Sequence, residues 1–248
     1  MKKEIITQLY NAKVWVFDLD DTLYARSTGL SKEIDQRISA YIKKHLKLSN
    51  DEEVAKLRRL FRNDYGGALN GLRKNHGVNV AEYLHDVHTL DYSVLKHDKI
   101  LHEALLNISA RKYVFTNGDH GHALRSLAHL GLDNVFDGIF DINAANLLPK
   151  PFPETYALFL NHFAIDPRET VMVEDNMSNL AISKNLGMTT VLIDEKACFY
   201  ETNFVMKTSL SRDQTSKTTP KIDHLPLYVD YCAPSSAVFL QNYMNYAK

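Results

Sequence analysis

The sequence predicts an α/β fold, with a central parallel sheet of five strands flanked by helices and an all-helical unit inserted after the first strand. Two observations predict the sheet. Short apolar runs alternate with stretches of helical periodicity, and the runs are solidly rather than alternately apolar, as strands buried on both faces should be. A third observation predicts the insertion. About 95 residues, helical in pattern throughout, separate the first run from the second, far more than one crossover helix needs.

The first run is Val14-Trp15-Val16-Phe17, and it stops at Asp18. The helical excursion follows. Ile34, Ile38, Tyr41, Ile42 and Leu46 recur at helical spacing behind Ser31, which is read as the N-cap. Asn50 and Glu53 resemble a capping box ahead of Val54, Leu57, Leu60 and Phe61. Tyr65, Leu69 and Leu72 form a third stripe. Asn79 and Glu82 cap a fourth, with Val80, Tyr83, Leu84 and Val87. Leu101, Leu105 and Ile108 lead straight into the second run and are assigned to the main domain. The expected division is therefore 1–25 with 96–248 as a discontinuous core, and 26–95 as the helical unit.

The second run, Tyr113-Val114-Phe115, ends at Thr116-Asn117-Gly118. A stripe of Ala123, Leu124, Leu127 and Leu130 then ends at Gly131, a residue suited to the left-handed position after a helix. Ile139-Phe140 precedes Asp141. Pro153 suits the first turn of a helix carrying Tyr156, Ala157 and Leu160. Val171-Met172-Val173 ends at Glu174-Asp175, with Asp175 or Ser178 as the cap of the next helix. Leu180, Ala181 and Leu186 precede Gly187, and 189–193 runs into Asp194. Residues 201–221 are rich in Ser, Thr, Lys, Arg and Asp and are expected to be a flexible surface excursion. Residues 225–232 are expected to return as an edge strand before a last helix with Ala237, Leu240, Tyr243 and Met244.

Bulk properties narrow the function. Twenty-nine basic residues against 30 acidic ones give a formal charge of −1, which leaves no electrostatic footprint for a nucleic-acid polymer or an anionic membrane. No apolar run approaches the roughly 20 residues of a membrane span. The N-terminus shows no signal-peptide pattern. Two cysteines, Cys198 and Cys232, fit neither a zinc motif nor a disulfide framework. The expectation is a cytoplasmic protein.

Polar residues at the ends of parallel strands point to a site, because ligands of open α/β sheets bind there. Asp18-Leu19-Asp20-Asp21-Thr22-Leu23 puts two carboxylates two residues apart where a buried strand exits. So close a pair repels unless a cation bridges it, and Mg²⁺ suits hard oxygen ligands. One aspartate can then attack phosphorus while the other moves a proton. Taken alone, the same residues also fit a solvated acidic turn. Thr116-Asn117-Gly118 offers a hydroxyl and backbone N–H groups to phosphoryl oxygens, or forms a plain turn. Lys150, held between Pro149 and Pro151, sits on a stiff loop and is either a charge stabiliser or a surface lysine. Glu174-Asp175 completes a metal site or caps a helix.

The order of these motifs decides between the readings. DxDxT, T-N-G, K-P and E-D, each at a strand end or on a Pro-rich loop, resemble the four ordered motifs of the haloacid dehalogenase superfamily over about residues 14–195. The helical insertion resembles that family's C1-type cap, over a Rossmann-like core. Val16-Phe17-Asp18-Leu19-Asp20-Asp21-Thr22-Leu23-Tyr24, the stretch Gly29-Leu30-Ser31 to Ile38, and Thr116-Asn117-Gly118-Asp119 before His122-Ala123 are similar to pyrimidine 5′-nucleotidase-like phosphatases. One departure is Glu174, where Asp-Asp is the commoner pair.

The resemblance implies a magnesium-dependent phosphomonoester hydrolase working through an aspartyl-phosphate. It implies catalytic roles for Asp18 (nucleophile), Asp20 (acid and base) and Lys150. It implies that Thr116, Asn117 and Lys150 hold the phosphoryl oxygens. It implies metal binding by Asp18, the Asp20 backbone carbonyl and Asp175, with Glu174 acting through water. The substrate class implied is a nucleoside 5′-monophosphate, with a sugar phosphate or phosphoglycolate-like ester as alternative and an inactive binding protein behind both. The sequence leaves the oligomeric state, monomer or homodimer, open. His85, His88, His120 and His122 are read first as solvated or capping residues, and Tyr41, Phe61, Tyr65 and Tyr83 as bundle core. Tyr24 and Arg26 lie where substrate would enter.

Overall fold

The computed structural model describes residues 3–196, 200–201, 223–224 and 226–246. Strands β1 (Val14–Phe17), β2 (Arg111–Phe115), β3 (Gly138–Phe140), β4 (Thr170–Glu174) and β5 (Thr189–Ile193) are the five expected from the apolar runs. Two-residue strands β6 (Tyr200–Glu201) and β7 (Asp223–His224) pair with each other, and β8 (Tyr231–Ala233) joins the main sheet. That sheet has the order β3-β2-β1-β4-β5-β8, and every pairing is parallel.

β1 is the central strand, and the chain leaves it in one direction toward β2 and β3 and in the other toward β4, β5 and β8. This is the topology that opens a crevice beyond the strand ends. The solid apolarity of the runs has its reason in two packed faces. Trp15 and Phe17 of β1 point into one core, with Val114, Val171, Val173 and Val191. Val14 and Val16 point into the other, with Tyr113, Phe115, Met172 and Leu192. Helices α6 (Lys99–Leu106), α7 (His120–Leu130) and α10 (Ser236–Tyr246) supply the first layer through Leu105, Leu127 and Phe239. Helices α8 (Pro153–Phe163) and α9 (Met177–Asn185) supply the second through Tyr156, Phe159 and Leu180. Helix α1 (Lys3–Asn11), unassigned from sequence, buries Leu9 in the first core.

Helices α2 (Leu30–His45), α3 (Asp51–Tyr65), α4 (Ala68–His76) and α5 (Val80–Val87) fill the interval between β1 and β2. They have a core of their own around Ile42, Val54, Phe61, Leu72 and Tyr83. Asn50 caps α3 by accepting from the Glu53 N–H at 2.8 Å, and Asn79 caps α5 by accepting from Glu82 at 3.1 Å. Both caps are as expected from the sequence.

Three local expectations are corrected. Ser31 does not cap α2: the cap is Gly29, left-handed at φ 84°, and the Ser31 hydroxyl donates to Asp21 Oδ1 at 2.5 Å instead. Helix α9 is capped by Asn176, which accepts from the Ser178 N–H, and not by Asp175 or Ser178. The last strand is Tyr231–Ala233 rather than 225–232. Pro226 has no N–H for a ladder and Leu227 is fully exposed in a turn, so pairing begins only beyond them. The expected excursion at 201–221 lies almost wholly outside the described residues. Among those described, no helix is long and apolar enough to cross a membrane.

The insertion's core gives a packing test. A Cβ on Gly71 would lie 2.2 Å from the Phe61 ring, which is itself 1% exposed and has nowhere to go. Gly71→Ala is expected to cost about 1–3 kcal/mol by overpacking. Urea denaturation checks it, and an unchanged midpoint would contradict this packing.

Candidate active site

Three neighbouring parallel strands deliver the expected residues to one edge of the sheet. Asp18 follows β1, Thr116 follows β2, and Glu174 ends β4 with Asp175 next to it. One oxygen from each of Asp18, Glu174 and Asp175 lies within 4.8 Å of the others. Lys150 arrives from the loop before α8 and is almost wholly buried. Its ammonium donates to Asp18 Oδ1 at 2.7 Å, to the Phe115 carbonyl at 2.7 Å and to Glu174 Oε1 at 2.9 Å. An ammonium has three protons, and all three are committed.

Glu174 is fully buried and already accepts from three donors. Oε1 also accepts from the Asn179 amide, and Oε2 accepts from the Asn176 N–H at 2.8 Å. Asp18 and Asp175 are the carboxylates with the most capacity to spare. The loop carrying Lys150 is fixed by Asn117, whose side chain accepts from the Lys150 N–H at 2.7 Å and donates to the Lys150 carbonyl at 3.1 Å. The Thr116 hydroxyl accepts from the Gly118 N–H at 3.0 Å. The Asn117 N–H has no protein acceptor among the described residues.

The charges in this cluster do not cancel. Burial, and then the charge of Glu174, push the Asp18 carboxyl well above the usual range, against the pull of Lys150. Burial, Glu174 and Asp21 lift Asp175 to about 8, although Arg26 donates to it at 2.9 Å. Lys150 is kept charged: burial alone would lower its pKa, but Asp18 and Glu174 raise it above the ordinary lysine value. Three hard carboxylate donors facing one committed ammonium are a set that fits a divalent cation such as Mg²⁺.

Asp20 stands apart from this cluster. Its Oδ1 meets His122 Nε2 at 2.8 Å and accepts a hydrogen bond from the Tyr24 hydroxyl. Burial would raise its pKa, but these two partners bring it down to about 2. His122 is completely buried, stacks on His88 at 4.6 Å, and has Tyr92 Oη 2.9 Å from Nδ1. His88, at the end of α5, meets Asp119 Oδ2 at 2.7 Å. Beyond Asp20 and Asn117 opens a cavity of about 280 Å³ walled by Ile34, Ile38, Leu69, Tyr83 and Leu84 of the insertion.

The family model of haloacid dehalogenase-like hydrolases matches residues 15–193. The chain belongs to that family. The hydrolase is 30% identical over 241 residues to phosphate metabolism protein 8 of Saccharomyces cerevisiae, across 88% of this chain and 73% of that one. In fold it is similar to the 2-haloacid dehalogenase of Pseudomonas syringae pv. Tomato, with a TM-score of 0.55 at 17% identity over 96% of this chain and 100% of that chain. The L-2-haloacid dehalogenase of Xanthobacter autotrophicus gives 0.52 at 17% identity over 93% and 97%.

In this hydrolase Asp18, Lys150, Glu174 and Asp175 form one cluster, Asn117 holds the loop carrying Lys150, Thr116 follows β2 with its hydroxyl on the Gly118 N–H, and Asp20 lines the cavity beside them. Tyr41, Phe61 and Tyr83 are insertion core, as expected, and Tyr83 also lines the cavity. Arg26 pairs with Asp21 and Asp175. The sequence reading passed over His122, His88, Asp119 and Tyr92 as a connected group. The available signal was Asp119 followed three residues later by a histidine on an apolar helix face.

The raised acids make stability depend on pH. Between the ordinary carboxylate range and about 8, folded Asp175 holds a proton that the unfolded chain has released. Stability therefore falls as pH rises through that window. In chelator-treated protein the melting temperature is expected to drop from mildly acidic pH to about 8, less steeply in Asp175→Asn, and added Mg²⁺ is expected to raise it most at the alkaline end. Equal slopes in the two proteins would contradict the assignment.

Proposed function

We propose that this hydrolase is a magnesium-dependent phosphomonoesterase that works through an aspartyl-phosphate and acts on nucleoside 5′-monophosphates, pyrimidine ones in particular. The observation that carries the reading is a nucleophile and a proton carrier two residues apart in different settings. Asp18 lies against the ammonium of Lys150 and beside Asp175. Asp20 turns toward the cavity.

In the first displacement an Asp18 oxygen bonds to phosphorus as the bond to the ester oxygen breaks, and Asp20 gives its proton to that departing oxygen. In the second, Asp20 takes a proton from water, the water oxygen bonds to phosphorus, the bond to Asp18 breaks and phosphate leaves. Asp20 is ionised in this structure, with its pKa at about 2. A phosphoryl group arriving beside it adds like charge, which raises its affinity for a proton. The Asn117 N–H and the Thr116 hydroxyl are the groups offered to phosphoryl oxygens. The charge of Lys150 opposes the effect of burial on Asp18, and its hydrogen bond holds the carboxyl in place.

Asp18, Asp175 and the Asp20 backbone carbonyl would hold Mg²⁺, with Glu174 behind a water. The ion supplies charge neutralisation for the anionic phosphoryl group.

The substrate class follows from the cavity. At about 280 Å³ it is at the small end of ligand clefts, and Ile34, Ile38, Leu69 and Leu84 share its lining with Arg58, Arg62 and Asn70. A flat heterocycle with its sugar suits this mixture of apolar walls and polar donors. The insertion then acts as a cap that excludes water over the reacting centre. The name of the yeast relative, which points to phosphate metabolism, supports phosphoryl chemistry. Halide displacement is a weaker reading, since a halide departs without a proton and leaves Asp20 idle.

Two measurements test the proposal. A kinetic panel of nucleoside monophosphates, sugar phosphates and a 2-haloacid, with Mg²⁺, is expected to give the highest kcat/KM for pyrimidine nucleotides. Preference for a sugar phosphate would overturn the substrate class, and halide release would overturn the chemistry. Asp18→Asn is expected to lose at least about a thousandfold in turnover while keeping its circular dichroism spectrum. Substantial remaining activity would remove Asp18 from the nucleophile's role.

A further inference from the structure

We infer that His122 and Tyr24 are positioning residues that clamp Asp20 by one oxygen, Oδ1, so that only Oδ2 exchanges protons with the substrate. The inference rests on the reading of Asp20 as proton carrier given above.

Both contacts to Asp20 fall on the same atom. His122 Nε2 lies 2.8 Å from Oδ1, and the Tyr24 hydroxyl donates to Oδ1. Oδ2 has no protein partner among the described residues, and Asp20 lines the cavity. A carboxylate held by one donor still rotates about χ2 and offers its two oxygens in turn. One held by two donors from different elements cannot turn without breaking both bonds.

The clamp has its own support. The Tyr92 hydroxyl donates to the His88 carbonyl at 3.0 Å, and its oxygen lies 2.9 Å from Nδ1 of His122, which fixes the rotation of the ring. Nε2 is thereby aimed at Asp20. The imidazole of His88 stacks on His122 at 4.6 Å with an interplanar angle of 13°, and is itself held by Asp119 at 2.7 Å. Asp119 also accepts from the His122 N–H at 2.7 Å, which fixes the backbone carrying the ring. A buried histidine with partners on both nitrogens and both backbone and ring constrained has little freedom to do anything but hold its neighbour.

The clamp matters for leaving groups that need a proton. Departure of an alkoxide requires transfer from Asp20 as the P–O bond breaks and the bond to Asp18 forms. A p-nitrophenolate leaves unprotonated. The quantity kcat/KM reports this first displacement, so the base role of Asp20 in the second does not blur it.

The experiment compares kcat/KM on a nucleoside 5′-monophosphate, or the alkyl phosphate turned over best, with that on p-nitrophenyl phosphate. The proteins are the wild type, Asp20→Asn, His122→Leu, His122→Gln and Tyr24→Phe, each loaded with Mg²⁺. His122→Leu is expected to lose on the order of a hundredfold on the alkyl ester and about fivefold or less on the aryl ester. Tyr24→Phe is expected to show the same bias at about tenfold. His122→Gln keeps an N–H where Nε2 stood and is expected to recover most of the loss. Should His122→Leu not fold, as judged by circular dichroism and by its aryl phosphatase activity, Tyr24→Phe and His122→Gln carry the comparison. Equal losses on both esters in the clamp variants, with Asp20→Asn still discriminating, would overturn the clamp and leave the role of Asp20 intact. An Asp20→Asn protein that does not discriminate would overturn both.

Discussion

The site depends on one buried ammonium. Lys150 sits between Asp18 and Glu174, and its third proton goes to the Phe115 carbonyl at the end of β2. Without it, acids at the ends of two adjacent strands would face each other with almost no solvent between them. With it, the loop carrying Lys150 is tied to three strands at once, and Asn117 secures that loop from the other side with two hydrogen bonds. The remaining negative charge is what the raised Asp18 and Asp175 report, and it is what a divalent cation would satisfy. One interaction therefore sets the shape of the cluster and its appetite for a metal.

The fold places this interaction by a simple rule. A strand buried on both faces must be apolar along its length, so the first polar residue marks where it leaves the sheet. Asp18, Thr116 and Glu174 occupy that position on β1, β2 and β4, which are neighbours. That is why the cluster was legible in sequence. The caps at Asn50 and Asn79 were legible because each acts within a single turn of chain. The misread positions have a common physical origin. Ser31 had the chemistry of a cap, but Asp21, ten residues earlier in the chain, claimed its hydroxyl. Residues 225–232 had the apolarity of a strand, but Pro226 and the turn after it delayed pairing until Tyr231. A local pattern shows which residues suit a cap or a strand, not which neighbours compete for them.

The same limit hid the support of Asp20. Tyr24 lies close in sequence, but His122 is 102 residues away, and a histidine on an apolar helix face reads locally as core. Only the folded chain shows its ring against the carboxylate. The two aspartates of the first motif thus receive different surroundings from different parts of the molecule. Asp18 is embedded among charges, and Asp20 among histidines and a phenol. Environments that separate two identical side chains are how one pair of carboxylates comes to divide nucleophilic and proton-transfer work.

The central claim is that Asp18 accepts the phosphoryl group. Its most direct test is an acid quench during turnover of the magnesium-loaded enzyme, followed by peptide mass spectrometry. The account predicts a phosphoryl mass increment on the peptide bearing Asp18, present with substrate and absent from Asp18→Asn. A phosphoryl group mapped to any other residue would contradict it.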